Sequence, residues 1–429
     1  MARLDTVRAL QLFSFARFGS TLLISILLVR LGLPAADIAV YETLLFWSAA
    51  VTAFWVSGGQ TAVLSLFPQL RKDGVAAGLL WQVALLFFGL SSLSALVIYF
   101  GAPFYFQAFT PFEKLPYVGL IALYSWLNVP AFLLHIFYQL RGQDRALLWM
   151  SGLNWGAQLG AVIGPLLLGY SLEMVFQSLV LLGLLRALWL FGLLRKTDRL
   201  TLSLITLRRY GRLWVPLALT ALLEGSVELI DGLLVGRCFD DPAVFTYYRY
   251  GAKELPLSLL LIGPVVAVGI QAAASDMAGG LREARERLRR TGHVLYPLSA
   301  VLLLAAPYLF TWAYSADYSV SAQLFGVYLL LISSRLLVPQ IVLVAREHNY
   351  ALLVISIIEV MLNAVLSYLL IGPLGLLGIA WGSVIAYLVG KGLLAAYAYA
   401  RLGVPLMAYL PVREWVLGNV GLFLLWWWI

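Results

Sequence analysis

Seven basic side chains lie inside stretches of this sequence that are apolar enough to cross a lipid bilayer. They are Arg17, Arg30, Arg186, Arg249, Lys253, Arg335 and Lys391. A cation at the centre of a bilayer costs about 2.5–3.5 kcal/mol on insertion scales. Because a chain that keeps several such cations must give them polar surroundings, we expect a cationic cavity, and an anion is its natural occupant.

Two properties rank these cations as candidate anion contacts: how deep each lies within its span, and whether it is an arginine or a lysine. Arg17 and Arg335 lie too far inside their spans to reach the headgroups, and an arginine fork binds two phosphate oxygens at once. Together with Arg249 they are the leading phosphate contacts. The predicted substrate-binding set is completed by Arg30, Lys253 and Lys391. Of the basic residues near span ends, Arg30 can also extend its side chain to the interface.

Acidic residues form a second pattern. Glu224, Glu228 and Asp231 stand at i, i+4 and i+7, which places them on one helix face. The next span carries Arg249 and Lys253, so the two helices could neutralise each other in a static ion-pair network. Alternatively, some pairs form in one state and exchange for substrate in another; both interpretations remain open. The predicted gating or ion-coupling residues are Glu42, Glu224, Glu228, Asp231 and Glu359, with Asn363 one turn after Glu359.

Composition limits the fold to a polytopic, all-α membrane protein. The 429 residues are 62% hydrophobic and 12% charged, which leaves no room for a large soluble domain. Spans of about 20 apolar residues are predicted at 9–31, 38–67, 75–100, 116–139, 146–170, 173–194, 213–236, 245–275, 293–313, 322–344, 350–371 and 375–400. The tail 415–429, which ends in three tryptophans, is a short thirteenth span or an interfacial segment.

Basic residues in the loops orient the chain. With the N-terminus in the cytoplasm, nearly all basic loop residues are cytoplasmic and only Lys114 and Arg237 lie outside. We therefore expect a multi-pass membrane protein with a cytoplasmic N-terminus, whose basic runs contact lipid headgroups, not nucleic acid. One cysteine and three scattered histidines predict no metal site. The lack of a Walker motif or a catalytic arrangement in an external loop predicts a protein that is not an enzyme and needs no cofactor.

The sequence repeats itself. Val129-Pro130 recurs as Val338-Pro339, and Ile163-Gly164-Pro165-Leu166 recurs as Ile371-Gly372-Pro373-Leu374. Because each half has six predicted spans, the two repeats are expected to be parallel lobes with a site at their interface. The predicted domains are an N-lobe over 1–194, a basic amphipathic linker on the cytoplasmic surface over 195–212, a C-lobe over 213–400 and a tail over 401–429.

Three motifs carry a family resemblance. The first span ends in Leu28-Val29-Arg30-Leu31-Gly32, Gly59-Gln60 lie in span two, and Asn363 precedes Gly372-Pro373-Leu374-Gly375. The chain resembles the multidrug/oligosaccharidyl-lipid/polysaccharide (MOP) exporter superfamily, and within it the Wzx-type polysaccharide flippases. The resemblance implies a V-shaped pair of six-helix lobes that flips undecaprenyl-pyrophosphate-linked oligosaccharide to the outer leaflet. It also implies that Arg17 and Arg30 occupy the positions of essential first-helix cations.

Other functions stay open beside the flippase. A proton- or sodium-coupled multidrug exporter would use the acidic face of span seven. A lipid II flippase is disfavoured because that type typically has fourteen spans, and a scaffold or glycan-modifying enzyme is the least favoured. For the flippase, the expected partners are membrane lipids, the lipid-linked glycan, and a polysaccharide polymerase with its chain-length machinery, and the protein is expected to be a monomer.

Overall fold

The computed structural model describes residues 6–72, 78–112, 114–197, 203–252 and 256–429, and no β-strand occurs among them. The chain divides into two compact units. Unit 1 is Met1–Gly225 with Phe239–Thr246, and unit 2 is Ser226–Cys238 with Tyr247–Ile429. The all-α prediction is therefore confirmed for the described residues.

The helices follow one another with short connections. In the first part of the chain they are α1 (Thr6–Arg30), α2 (Ala35–Lys72), α3 (Leu79–Phe109), α4 (Val118–Asn128), α5 (Leu133–Leu140), α6 (Asp144–Leu167) and α7 (Leu172–Thr197). Two helices contribute residues to both units: α8 (Leu204–Cys238) and α9 (Pro242–Gly251). The remaining helices are α10 (Pro256–Ser275), α11 (Met277–Ala313), α12 (Ser319–Leu329), α13 (Ile332–Arg335), α14 (Gln340–Ala345), α15 (Asn349–Leu374), α16 (Leu376–Leu402) and α17 (Val412–Trp428).

Within the part of the chain that the structure describes, ten helical segments are long and apolar enough to cross a membrane, so the chain is a multi-pass membrane protein. Two of the twelve predicted spans are not among them. Residues 146–170 form most of α6, and 245–275 are divided between α9 and α10, with undescribed residues between the two helices. The tail forms α17, a helix of 17 residues.

Prolines that the sequence repeat relates to each other interrupt one span in each unit. In unit 1, α4 ends at Asn128 and Pro130 begins a turn of 3₁₀ helix before α5. In unit 2, α13 ends at Arg335, and Pro339 directly precedes α14. Proline has no N–H to donate and clashes with the preceding turn. The matching breaks at Pro130 and Pro339 agree with the repeat found in the sequence.

The predicted linker, residues 195–212, does not form one separate helix among the residues that the structure describes. Residues 198–202 lie outside the described residues, and 204–212 are the first turns of the long helix α8 rather than a separate helix. The reason lies in unit 1: the hydroxyl of Tyr210 donates to the carbonyl of Gly59 at 3.1 Å, and the indole N–H of Trp214 donates to the carbonyl of Trp55 at 2.9 Å. Tyr210 is completely buried. These contacts hold the start of α8 in the core of unit 1, and the boundary between the units falls within α8 at Gly225.

Candidate functional site

Asp231 lies at the centre of a buried polar cluster in unit 2 and is only 1% exposed. One carboxylate oxygen accepts from the amide of Asn363 at 3.2 Å and from the hydroxyl of Ser367 at 3.3 Å. The other oxygen accepts from the hydroxyl of Ser383 in a short hydrogen bond and from Tyr328 at 3.4 Å. We call these five residues the Asp231 cluster. All four partners are uncharged, so among the described residues no cation is paired with this carboxylate.

The Asp231 cluster also contains an unused acceptor. The amide nitrogen of Asn363 donates to the neighbouring oxygens, but its carbonyl oxygen Oδ1 is buried and has no hydrogen-bond partner among the described residues. A buried acceptor left without a donor costs about 1–3 kcal/mol. A proton on the carboxylate or a small hard cation among these oxygens would suit this set, because such cations prefer oxygen ligands.

The local sequence explains how the cluster is built. Asn363 and Ser367 are one turn apart on α15 and therefore share a face, and Ser383 lies on α16, which packs closely on α15. The close approach is made at Gly382, where an added Cβ would lie 2.5 Å from the backbone nitrogen of Ser367 and 2.6 Å from its Cα. Only glycine allows the two backbones to meet here.

Gly382→Ala is therefore expected to lower the free energy of unfolding by about 1–3 kcal/mol, the usual effect of overpacking. The backbone of Ser367 cannot move aside without disturbing the Asp231 cluster. Gly392→Ala is the matched control, since it lies on the same helix and an added Cβ meets nothing within 4 Å. Thermal unfolding in detergent is the measurement, and equal midpoints for the two variants would contradict the packing argument.

A second group, the Lys391 cluster, brings three predicted site residues together in unit 2. The ammonium of Lys391 donates to the side-chain oxygen of Gln340 at 3.1 Å. Arg335 places its guanidinium over the ring of Tyr387, 4.6 Å from the ring centre. Both cations lie close enough to the carboxylate of Glu359 to interact with it electrostatically. The cluster thus contains two cations and one acid.

The remaining acids of α8 do not join Asp231 in one site. Glu228 is exposed and pairs with the half-buried Arg249 at 3.0 Å, and Glu224 is exposed. The three acids share the helix α8, but only Asp231 belongs to the buried cluster, and a joint role in ion coupling stays a prediction. The three acids have different surroundings along α8. Residues of α15 and α16 contact Asp231, whereas Glu224 and Glu228 are exposed.

The other predicted site residues are described by their own surroundings. Arg17 is exposed on α1, Arg30 is exposed at the end of α1, and Glu42 is half-buried on α2, all in unit 1. Lys253 lies outside the described residues. A cavity shared by Arg17 and Arg335 stays a prediction.

Sequence reasoning missed three members of the Asp231 cluster: Tyr328, Ser367 and Ser383. Serine and tyrosine are common in apolar spans, so their presence alone carries no signal. The spacing of Asn363 and Ser367 by four residues, and the small pair Gly382-Ser383, were the available signs of a polar contact between helices.

Several solved structures of membrane transporters have the same fold as this chain over nearly its whole length. The lipid II flippase MurJ in an inward closed conformation matches over 97% of this chain and 91% of its own, with a TM-score of 0.65 and 16% identity. A MOP superfamily transporter from Pyrococcus furiosus matches over 99% of this chain and 97% of its own, with a TM-score of 0.62 and 15% identity. An outward-facing multidrug resistance transporter of the MATE family matches with the same coverage, a TM-score of 0.55 and 15% identity.

No protein-family model and no curated protein sequence matches the chain significantly. The three structural matches span nearly the whole chain at identities too low to carry a function, so they establish architecture alone. The chain has the fold of the MOP superfamily transporters.

Proposed function

We propose that this protein is a flippase that moves an undecaprenyl-pyrophosphate-linked oligosaccharide from the cytoplasmic to the outer leaflet. The observation that carries the proposal is the Lys391 cluster, which gathers two cations, Arg335 and Lys391, near the carboxylate of Glu359. Cations gathered at membrane depth are costly unless polar or anionic groups surround them, and an anionic cargo is such a group. Pyrophosphate offers several oxygens to such a group, and the likeness in fold to a lipid II flippase supports a lipid-linked cargo.

The proposed pyrophosphate contacts are Arg17, Arg30, Arg249, Lys253, Arg335 and Lys391. Arginine suits this role because its planar fork holds two oxygens, whereas lysine adds a point charge. Arg249 pairs with the exposed Glu228, and we propose that it exchanges this partner for the cargo. The chain acts in the bacterial inner membrane with its N-terminus in the cytoplasm, as a monomer beside a polysaccharide polymerase and its chain-length machinery.

The Asp231 cluster favours a second candidate, a proton- or cation-coupled exporter of small cationic compounds. Its buried carboxylate has neutral partners and an unused amide oxygen beside it. Glu42, Glu224, Glu228 and Glu359 would then be the auxiliary acids of ion coupling or gating. The same cluster can drive a flippase, so the nature of the cargo separates the two candidates.

Transport by purified protein in liposomes is the decisive experiment. The assay follows a fluorescent pyrophosphate-linked glycan, lipid II in a second arm, and a cationic dye in a third. Lys391→Met and Arg335→Ala are expected to slow glycan transport about 10- to 100-fold each, because a charged hydrogen bond contributes about 1.5–3 kcal/mol. Glu359→Gln is the matched control, since it removes the competing acid and should preserve glycan transport.

The outcomes separate the candidates. Loss of dye export in Glu359→Gln, with glycan untouched by wild-type protein, would identify the cationic exporter. Transport of lipid II in preference to the glycan would keep a flippase but change its cargo. Equal glycan transport by Lys391→Met and wild type would remove the Lys391 cluster from the mechanism.

A further inference from the structure

A buried arginine in unit 1 has no role in the proposed transport site. Arg186 on α7 is 6% exposed. Its guanidinium donates to the side-chain oxygen of Asn128 at 2.8 Å, to that of Gln158 at 2.9 Å and to the backbone carbonyl of Asn154 at 2.9 Å. The phenol of Tyr124 lies beside it as well. Among the described residues, no carboxylate forms an ion pair with Arg186, so every partner of this cation is neutral.

Neutral partners do not offset the cost of burying this charge. Removing an ion from water costs several kcal/mol even after the protein relaxes, and a counter-ion normally compensates for it. One donor of Arg186 is also unused, because Nε is buried and has no hydrogen-bond partner among the described residues. The site therefore combines an uncompensated positive charge with a free N–H group.

A small cavity lies against this guanidinium. It is lined by residues of five α-helices and of the 3₁₀ turn at Pro130, among them Phe13, Asn128, His135, Asn154, Trp155 and Arg186. Its volume, counted over positions that the centre of a water molecule can take, is about 30 Å³, and one water needs about 10–15 Å³ on this measure. The cavity thus has room for a monatomic ion and is far too small for a pyrophosphate or a sugar.

Two residues that line the cavity carry hydrogen-bond donors that have no acceptor among the described residues. The indole N–H of Trp155 is buried without a hydrogen-bond partner among the described residues, like Nε of Arg186. The imidazole of His135, stacked on Phe13 at 4.9 Å, adds a group that can donate. An anion in this cavity could accept hydrogen bonds from the two unused N–H groups, Nε of Arg186 and the indole of Trp155, and would be attracted by the positive charge of Arg186.

We infer that the cavity beside Arg186 binds one small monovalent inorganic anion of the chloride class. The anion neutralises the buried guanidinium and accepts hydrogen bonds from donors that the protein leaves unused. The cavity is confined to unit 1, and none of the residues proposed to hold the cargo lines it. It holds together α4, α6 and α7 through the residues that surround Arg186.

The test measures anion-specific stabilisation of the purified full-length protein. Thermal midpoints are recorded while sodium chloride replaces sodium gluconate at constant ionic strength, because a ligand that binds only the folded state raises the midpoint in a saturable manner. Wild-type protein should show a saturable rise, and bromide should reproduce it. Arg186→Gln should abolish the rise, whereas Arg195→Gln, which removes an exposed arginine from the same helix, should retain it.

A second variant covers the case in which Arg186→Gln does not fold. Trp155→Phe keeps the ring and removes one N–H donor, and it should raise the half-saturating chloride concentration about tenfold or more. The inference is overturned if Arg186→Gln responds to chloride as wild type does, or if Trp155→Phe leaves the half-saturating concentration unchanged. A response of equal size in every variant is a general salt effect and also overturns it.

Discussion

Asp231→Ala is expected to destabilise the protein by about 2–5 kcal/mol, because four buried donors lose their common acceptor. Hydrogen bonds between membrane helices average about 0.6 kcal/mol and reach about 1.7 kcal/mol, and the donors of Tyr328, Asn363, Ser367 and Ser383 all end on this carboxylate. Thermal unfolding in detergent, followed by intrinsic fluorescence, provides the measurement.

Asp231→Asn is the matched variant, since it preserves the volume and one acceptor oxygen. It should retain most of the stability and lose ion-dependent transport, because an amide cannot take up a proton or compensate a cation. Ser92→Ala, which removes a hydroxyl bonded to one indole N–H in unit 1, should cost less than Asp231→Ala. If the thermal midpoint of Asp231→Ala lay within one degree of wild type, the Asp231 cluster would not contribute to stability as proposed.

Arg17→Ala and Arg249→Ala are each expected to abolish transport of the pyrophosphate-linked glycan while leaving membrane insertion intact. Pyrophosphate must leave the headgroup region, so fixed cations have to offset its desolvation, and each lost contact costs about one to two decades of affinity. Lysine at either position should restore transport only in part, because it keeps the charge and loses the fork.

Glu228→Gln is the control for the arginine variants. Glu228 is 71% exposed in its pair with Arg249, so the loss of the pair should change stability by less than about 1 kcal/mol. The variant should impair a cation exporter far more than a flippase. Normal glycan transport by both alanine variants, together with an inactive Glu228→Gln, would show that the proposed cargo is wrong.

Local patterns in the sequence were sufficient to predict much of the helical structure. Apolar runs predicted the helices, and the repeated Val-Pro pair of the sequence coincides with matching helix breaks at Pro130 and Pro339. The start of α8 was less predictable. Its basic, amphipathic pattern is typical of a surface helix, but Tyr210 and Trp214 anchor it in the core of unit 1 through contacts with residues about 150 positions away.

The candidate site was predictable only in part. Spacing along α8 found Asp231, but a helical face does not reveal which neighbour covers each turn. Glu228 and Asp231 therefore looked equivalent in the sequence, whereas one is exposed and the other buried. The partners of Asp231 come from α12, α15 and α16, and their pairing depends on close backbone approach at Gly382.

The neutrality of the partners around Asp231 has an electrical consequence. Where a carboxylate is paired with a lysine or arginine, an incoming cation can replace that side chain as the partner of the carboxylate, and the carboxylate stays neutralised throughout. Here the partners are an amide and three hydroxyls, so each proton or monovalent cation that enters changes the charge of unit 2 by one. Moving one elementary charge through a membrane potential of 100 mV is worth about 2.3 kcal/mol. If the Asp231 cluster takes up a proton or cation during transport, as the second candidate function requires, its occupancy would respond to voltage, and the resting potential would supply energy for transport.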